Sequence, residues 1–544
     1  LDTLVKVASG VEQYCVEDSM RDWFAIPPFL QKMLDSNWLG DKTGQGFYKK
    51  SKDKEGNRVI EQLNLATFTY QPLKKSRFDS IGQAKKRSST IKSIQTLYDG
   101  DDKIAHFFKD ITVSISAYAA NRIPEIADEI YQIDDALKAG FGWEFGPFET
   151  WDLLGFQTVL AAIEKAQLPV PTWVKNFQEK GYTRFYKIEG NQRKFYNVSS
   201  ETYEIIPGTE SLVVLDNFRT QSPVYSNKEA TLHDIGDGVL CLEFHSKMNA
   251  IGSGTLAAIN RSIAIAEQEG WHGLVIGNDA PNFSAGANLA MMLMLAIEQE
   301  FDELNMAIKY FQNTVMRLRY SSIPVVVAPH GLTLGGGCEM TLHADSAIAA
   351  AETYIGLVEA GAGLIPGGGG TKEFVVRTSD SFSDIDPQLP TLQNRFTTIA
   401  TAKVATSAHE AFDIGVMHAD KDEVVVNAQR LLAEAKRKVL ELTHDGYVQK
   451  PQRDDILVLG RTALGAFYSG IEAFGISNYA SEHDQLIARK LAFVMAGGDL
   501  TQPTKVTEQY LLNLEREAFL SLLGERKTLE RIQHILKTGK PLRN

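Results

Sequence analysis

The sequence predicts a multidomain protein with a mostly α-helical N-terminal half, followed by an α/β C-terminal part that ends in a helical tail. The chain has 544 residues, more than a single hydrophobic core usually organises. Helical patterns rich in aromatic residues dominate up to about residue 205, whereas short β-branched strands alternate with helices further on. The segment 206–227 follows neither period, so we expect the main domain boundary there.

The N-terminal half contains a weak internal sequence repeat. A helical segment leads to Phe-Tyr-Lys at 47–49, and another leads to Phe-Tyr-Lys at 185–187. This repetition predicts two copies of one helical unit, at 1–60 and 101–205, with chance as the alternative. The basic stretches of the intervening segment 61–100 could contact an anionic phosphate, but a solvated linker or helix face is the simpler interpretation.

Composition narrows the classes of function. The formal net charge is −12, which makes nucleic acid and anionic membranes poor partners. Three cysteines without a CxxC spacing argue against a disulfide framework and against structural zinc, and they favour a reducing compartment such as the cytoplasm. No run approaches the ~18 apolar residues of a membrane helix. The chain begins at Leu1 rather than methionine, which leaves open whether a leader has been lost.

Two glycine-rich turns in the C-terminal part are the most informative segments. One spans 282–288 after the predicted strand 274–277, and the other spans 330–339 after the predicted strand 325–328. Small residues let a backbone approach a ligand closely, and free N–H groups at a helix start attract negative charge. One N–H from each turn could therefore point at a single oxygen, the geometry of an oxyanion hole for a thioester enolate. Either motif alone could equally be a plain tight turn.

Glu339 and Glu359 are the candidate acid–base pair. Both lie in apolar surroundings in the sequence, where an unpartnered charge is costly. Two carboxyl groups that flank an enolate suit proton transfer at carbon, whereas two surface charges would be the plain alternative. The glycine-rich turn at 361–371 lacks the Gly-Lys-Ser/Thr ending of a phosphate-binding loop.

Four ordered motifs in residues 228–540 resemble the enoyl-CoA hydratase/isomerase (crotonase) superfamily, whose fold is an α/β spiral of ββα units. The motifs are Lys247-Met248-Asn249-Ala250, Phe283-Ser284-Ala285-Gly286-Ala287, Gly335-Gly336-Gly337-Cys338-Glu339, and Glu359 with Ile365-Pro366-Gly367. This resemblance implies that Ala287 and Gly336 supply the oxyanion N–H groups. It also implies that the Ala285 carbonyl meets the CoA adenine and that Lys247 binds CoA. Asn288 stands where the family usually has aspartate.

The same resemblance implies that Glu339 positions and activates water and that Glu359 exchanges the proton at C2. The expected enzyme is a lyase of fatty-acid β-oxidation, which adds water reversibly to 2-trans-enoyl-CoA and forms 3-hydroxyacyl-CoA. Two alternatives remain open: Δ3–Δ2 enoyl-CoA isomerisation, which needs only Glu359, and a non-catalytic acyl-CoA-binding or assembly module. The segment 377–395 resembles an insertion, and the helical tail from residue 504 is long for the family.

The two helical units of the N-terminal half resemble the C-terminal helical region of 3-hydroxyacyl-CoA dehydrogenases. The residues that carry this resemblance are 1–3, 21–28 and 40–48 in the first copy, and 133–134, 141–143 and 146–148 in the second. Because no GxGxxG follows a strand anywhere in the chain, we expect NAD to bind only a longer parent that has a Rossmann domain. On this chain we expect the acyl-CoA substrate and no cofactor or metal. Self-association, as a dimer or smaller, and a thiolase partner are open expectations.

Overall fold

The computed structural model describes residues 1–18, 20–52, 56–74, 76–87, 89–219, 221–382 and 387–544. The chain divides into two compact units, Leu1–Pro207 and Gly208–Asn544, and this division lies inside the predicted connector 206–227. Parts of two predicted segments lie outside the described residues: Lys75 and Ser88 of the basic stretches, and 383–386 of the expected insertion. Within the described ranges, no helix has both the length and the apolar character needed to cross a bilayer.

The first unit is mostly helical, as predicted, with two small sheets. Its helices are α1 (Asp2–Tyr14), α2 (Pro28–Asp35), α3 (Asp79–Ala84), α4 (Thr90–Asp99), α5 (Lys103–Asn121), α6 (Ile130–Phe141), α7 (Pro147–Leu154), α8 (Phe156–Lys165) and α9 (Thr172–Glu179). Its strands are β1 (Tyr48–Lys52), β2 (Arg58–Asn64), β3 (Thr69–Pro72), β4 (Tyr186–Glu189), β5 (Gln192–Asn197) and β6 (Thr202–Ile205). The core of its second half is aromatic: Trp151 stacks on Phe156 with ring centroids 5.7 Å apart, and Phe185 lies edge-on to both.

The two sheets of this unit repeat one design, which supports the predicted duplication. Each is a three-stranded antiparallel meander, in the order β1-β2-β3 and β4-β5-β6. The repeated Phe-Tyr-Lys motif lies at the start of the first strand in both sheets, because Tyr48 begins β1 and Tyr186 begins β4. Asn64 ends the middle strand and its Oδ1 accepts the N–H groups two and three residues further on, and Asn197 does the same.

The boundaries predicted for the first copy and the linker need correction. Residue 60 lies inside β2, and the first sheet continues through β3 to Pro72. The segment 61–100 also contains α3 and α4, so it is structured where a linker was expected. The physical reason is that β2 hydrogen-bonds to β1 on one side and to β3 on the other. A cut at residue 60 would split β2 and separate the residues that pair with β3, 61–64, from the rest of the strand.

The second unit is α/β, as predicted. Its helices are α10 (Leu215–Phe218), α11 (Ser253–Glu269), α12 (Leu289–Ile297), α13 (Phe301–Arg319), α14 (Gly336–His343), α15 (Gly370–Asp380), α16 (Gln388–Ala400), α17 (Ala408–Asp413), α18 (Leu431–His444), α19 (Arg461–Ile476), α20 (Glu482–Met495), α21 (Glu508–Leu523) and α22 (Arg526–Thr538). Its strands are β7 (Tyr225–Ser226), β8 (Ala230–Asp234), β9 (Val239–Phe244), β10 (Gly273–Ile276), β11 (Val325–Val327), β12 (Gly331–Leu334), β13 (Ser346–Ala350), β14 (Thr353–Gly356), β15 (Glu423–Val425), β16 (Ile456–Val458) and β17 (Thr504–Val506).

The large sheet of this unit has the order β15-β13-β11-β10-β9-β8-β7. Its strands from β9 to β15 pair in parallel. The central strands β9, β10 and β11 are buried along their whole length, which is why they are apolar runs, interrupted in β9 by Glu243, rather than alternating patterns. This buried sheet is the rigid base for the turns that follow its strands.

A second, two-stranded parallel sheet brings two such turns together. β12 follows β11 and leads into α14, whereas β14 follows β13 and precedes α15. These are two consecutive ββα units, and their second strands, β12 and β14, pair in register from Gly331 opposite Thr353 to Leu334 opposite Gly356. The segments after the two strands, which carry Glu339 and Glu359, therefore start next to each other.

The helical tail packs back onto this region. After β17 pairs with β16, α21 packs against α13, α15 and α20. The last helix, α22, contacts α12 and the short turn Glu359–Ala362. The tail is therefore part of the wall around the candidate site.

Candidate active site

A pocket of about 500 Å³ lies in the second unit, within the size range of small-molecule sites. Apolar side chains from the core and from the helical tail form much of its wall, among them Leu256, Ile308, Phe311, Leu364 and Phe519. Five of the six site residues predicted from the sequence also line it, namely Ala285, Ala287, Gly336, Glu339 and Glu359.

The two glycine-rich turns lie side by side at this pocket. Ser284 and Thr333 form a parallel bridge, in which the Leu334 N–H donates to the Ser284 carbonyl at 3.0 Å. Gly286 follows with a φ of +95°, and a Cβ there would lie 2.9 Å from the Leu334 carbonyl oxygen. Both the left-handed backbone and the close approach require glycine at this position.

The N–H groups of Ala287 and Gly336 are available to a ligand. Gly336 is the first residue of α14, where a helix leaves its N–H groups without an intrahelical acceptor. Within the described part of the chain, neither N–H donates to another backbone group. Since both residues line the pocket, a carbonyl oxygen bound there could accept from both, as an oxyanion hole requires.

Glu339 is buried and held by the backbone. It lies in the first turn of α14 with a fractional exposure of 4%, and its Oε1 accepts the N–H groups of Gly368 at 2.8 Å and Gly370 at 2.9 Å. Burial raises the pKa of Glu339 to about 7, against the lowering effect of these two hydrogen bonds. Both hydrogen bonds are made to Oε1, so these two donors do not occupy Oε2.

Glu359 has only local backbone support, from the N–H groups of Val358 and of Glu359 itself. It begins the short turn after β14, and its buried Oε2 has no hydrogen-bond partner among the described residues. Burial raises the pKa of Glu359 well above its usual value, and repulsion from Glu339 raises it further. Burial and the repulsion from Glu339 therefore favour the protonated form of Glu359.

The two predicted CoA-binding residues differ in position. The N–H of Ala285 donates to the carbonyl of Met248 at 3.1 Å, whereas the Ala285 carbonyl accepts no backbone hydrogen bond within the described ranges. Lys247 is exposed and is not among the residues that line the pocket. It adjoins Met248 in the chain, so it lies next to the segment that supports Ala285 but outside the pocket wall.

Sequence reasoning missed Glu515, a third buried carboxylate near the site. It is on α21 and has a fractional exposure of 0%. The available signal was its place on the apolar face of that helix, four residues after Leu511 and four residues before Phe519, both of which are buried. A charged residue at such a position indicates a specific partner, because an unpaired buried charge is costly.

Two family models match the chain. The model described as enoyl-CoA hydratase/isomerase matches residues 234–381, a range that contains the five pocket residues predicted from the sequence. The model described as 3-hydroxyacyl-CoA dehydrogenase, C-terminal domain, matches residues 110–193, inside the second predicted helical copy. These matches confirm both resemblances recognised in the sequence.

Two relatives match nearly the whole chain. A probable 3-hydroxyacyl-CoA dehydrogenase of Bacillus subtilis is 41% identical over 545 residues, which cover 100% of this chain and 67% of that protein. A putative fatty acid oxidation complex trifunctional enzyme of Rickettsia felis is 25% identical over 525 residues, which cover 96% of this chain and 64% of that protein. The chain thus spans about two thirds of the length of these relatives.

An enoyl-CoA hydratase from Bacillus halodurans is 17% identical, with a TM-score of 0.38, over 56% of this chain and 98% of that one. The relationship itself is shown by the Bacillus subtilis relative and the two family models. The chain belongs to the family of that relative, and it joins a 3-hydroxyacyl-CoA dehydrogenase C-terminal domain to an enoyl-CoA hydratase/isomerase domain.

Proposed function

We propose that the second unit catalyses the reversible hydration of 2-trans-enoyl-CoA to 3-hydroxyacyl-CoA in fatty-acid β-oxidation. The observation that carries the proposal is the convergence of two raised-pKa carboxyl groups and two available N–H groups on one apolar pocket. An apolar wall suits an acyl chain, and the polar groups are confined to the place where a thioester would react.

The oxyanion hole acts on the thioester carbonyl. When the oxygen of water bonds to C3, the electron pair of the C2–C3 double bond moves toward C2 and the carbonyl oxygen, which gains negative charge. The N–H groups of Ala287 and Gly336 donate to that oxygen and stabilise the charge as it develops. Because the donors are backbone groups on packed turns, they need no rearrangement during the reaction.

The two glutamates divide the proton transfers. Glu339, whose pKa is raised only to about 7, is the group that ionises and accepts a proton from the attacking water. Glu359, whose pKa is raised well above its usual value, keeps its proton and donates it to C2. Carboxyl groups whose environments separate their pKa values commonly take the base and acid roles in this way.

The names of the relatives support the metabolic setting. The Rickettsia felis protein is named a putative fatty acid oxidation complex trifunctional enzyme, and the Bacillus subtilis protein is named a probable 3-hydroxyacyl-CoA dehydrogenase. A 3-hydroxyacyl-CoA dehydrogenase consumes the product of this hydration. In a longer protein that carries both activities, the two steps would be consecutive, and NAD would serve only the second.

An assay on this chain with crotonyl-CoA tests the proposal. We expect the absorbance of the conjugated thioester to fall and 3-hydroxybutyryl-CoA to accumulate. Conversion of a 3-enoyl-CoA to a 2-enoyl-CoA without any hydration would instead identify an isomerase, which needs only one base. Binding of both CoA esters without turnover of either would identify a non-catalytic acyl-CoA-binding module.

A further inference from the structure

Two buried carboxylates share the N-terminal end of α15. Glu339 takes two of the N–H groups there, as described above. The N–H groups of Gly369 and Lys372 do not bond to Glu339. They donate to Glu515 instead, at 2.6 Å and 2.8 Å. Glu515 comes from the helical tail, so the loop before α15 is held between the reacting glutamate on one side and the tail on the other.

A second contact ties the same loop to the tail. The Nε2 of Gln312 on α13 donates to the carbonyl of Gly367 and to the carbonyl of Leu512, each at 3.0 Å, and lies 3.4 Å from Glu515 Oε1. Arg516 donates to the Oε1 of Gln312 at 2.8 Å, which fixes the orientation of that amide. The amide of Gln312 therefore links the loop to α21, and Arg516 holds that amide in place.

The loop needs this support because it cannot provide its own. Gly369 is the residue before α15 and has no side chain to cap the helix, although a polar side chain there commonly stabilises a helix. A Cβ on Gly368 would lie 2.4 Å from the Phe311 ring and 2.5 Å from Glu339 Oε2. Close approach to Glu339 thus requires glycine, and glycine makes the free loop flexible.

We propose that Glu515 is a positioning residue for Glu339: by holding the loop before α15, it keeps two N–H groups aimed at the carboxyl group that activates water. The inference rests on the proposed hydration. It assigns to the helical tail a part in the chemistry, although Glu515 is not among the residues that line the pocket.

Three charged or titratable groups interact with Glu515: Glu339 on α14, Glu359 on the turn after β14, and Lys372 on α15. The Nζ of Lys372 in turn contacts His343, Glu373 and Glu508. Burial and repulsion from Glu339 together raise the pKa of Glu515 to about 8, against the lowering effects of its two hydrogen bonds and of Lys372. When ionised, Glu515 in turn raises the pKa of Glu359.

These relationships predict a distinctive pH profile for Glu515→Gln. Loss of the negative charge lowers the pKa of Glu359, so the alkaline limb of the rate profile moves to lower pH. A looser loop weakens the N–H bonds that favour the Glu339 carboxylate, so the acidic limb moves to higher pH. The pH range of high activity should therefore become narrower on both its acidic and its alkaline side. A merely structural role would not produce this change.

The experiment compares kcat, KM and the pH profile of crotonyl-CoA hydration in the wild-type chain, Glu515→Gln and Glu517→Gln. Glu517 is exposed on the same helix and serves as the matched control. We expect kcat of Glu515→Gln to fall about tenfold or more with a nearly unchanged KM, since a misplaced catalytic group costs rate rather than ground-state binding. The Glu517→Gln profile should overlay that of the wild-type chain.

A folded Glu515→Gln chain with the kcat and the pH profile of the wild-type chain would overturn the inference. A partial loss of rate that is fully explained by a partial loss of folded protein would overturn it as well. If Glu515→Gln does not fold, Glu515→Asp replaces it. That variant keeps the charge but shortens the reach, so kcat should fall while the alkaline limb stays in place, and an unchanged kcat would overturn the inference.

Failure of the proposed function can be told apart from failure of this inference. If the wild-type chain does not hydrate crotonyl-CoA, the hydration proposal fails, and infrared titration then decides the role of Glu515. The carboxyl C=O band of Glu339 is isolated by subtracting the spectrum of Glu339→Gln. Its titration midpoint should be higher in the Glu515→Gln background, and an unmoved midpoint would reject the positioning role.

Discussion

Glu339 and Glu359 line the same pocket, but only Glu339 accepts N–H groups from the start of α15. Its Oε1 accepts two N–H groups at 2.8 Å and 2.9 Å, whereas the buried Oε2 of Glu359 has no partner within the described ranges. Two identical side chains therefore have different proton affinities because their surroundings differ. This asymmetry underlies the assignment of Glu339 as the base and Glu359 as the acid.

Replacing either glutamate by glutamine should abolish most of the hydration activity. Glutamine keeps the shape but cannot exchange a proton, and general acid–base groups typically contribute about 10²–10⁴ in rate. We expect each variant to lose at least about a hundredfold in kcat while binding CoA esters nearly normally. Deuterium exchange at C2 should survive Glu339→Gln better than Glu359→Gln. Near-normal hydration by either folded variant would remove that glutamate from the mechanism.

The rate of hydration should follow a bell-shaped pH profile. Because Glu339 must be ionised to accept a proton, kcat/KM should rise as the pH passes about 7, the raised pKa of that group. Because Glu359 must be protonated, kcat/KM should fall again once the pH exceeds the raised pKa of that group. Initial rates with crotonyl-CoA across this range test the assignment. A profile that falls steadily as the pH rises through neutrality would contradict it.

Gly286→Ala should damage the oxyanion turn. The substitution places a Cβ 2.9 Å from the Leu334 carbonyl oxygen on a backbone with a φ of +95°, which displaces the adjoining Ala287 N–H. The matched control is Gly270→Ala, at a φ of +75° with nothing within 4 Å. Both changes carry the left-handed cost of about 1–2 kcal/mol, which thermal unfolding measures. We expect kcat to fall sharply only in Gly286→Ala, and equal rates in the two variants would argue against the proposed oxyanion donor.

Asp134→Ala should destabilise the first unit. The side chain of Asp134 is buried and accepts the N–H groups of Phe148 and Glu149 and the hydroxyl of Tyr186, at 2.9, 3.1 and 2.7 Å. Each buried donor left without a partner costs about 1–3 kcal/mol, so the free energy of unfolding should fall by several times the cost of a surface change.

The control for this change is Asp135→Ala, one residue further along α6. Asp135 is exposed and contacts only Lys138, at 3.0 Å, among the described ion pairs. Exposed pairs of this kind contribute about 0–1 kcal/mol. Urea unfolding followed by tryptophan fluorescence reports on this unit through Trp151, which is buried in its core. Similar losses in the two variants would contradict the role given to Asp134.

Much of the site could be read from the sequence because its central parts are local. The segment 282–288 lies between β10 and α12, and the segment 330–339 contains β12 and the start of α14. Their glycines and free N–H groups therefore follow from a few adjacent residues. The pair Glu339 and Glu359 lies in consecutive ββα units, whose second strands pair side by side. In such units sequence order and spatial order agree, which is why the motifs predict the pocket lining.

Other features were decided only by the tertiary structure. The helical tail brings Glu515 to Gly369 and Lys372, more than a hundred residues earlier in the chain, and no local period encodes that meeting. The end of the first helical copy at Pro72 likewise depends on a strand partner rather than on composition. Local sequence sets which N–H and carboxyl groups exist, but long-range packing decides which of them share a hydrogen bond, because burial removes water as the alternative partner.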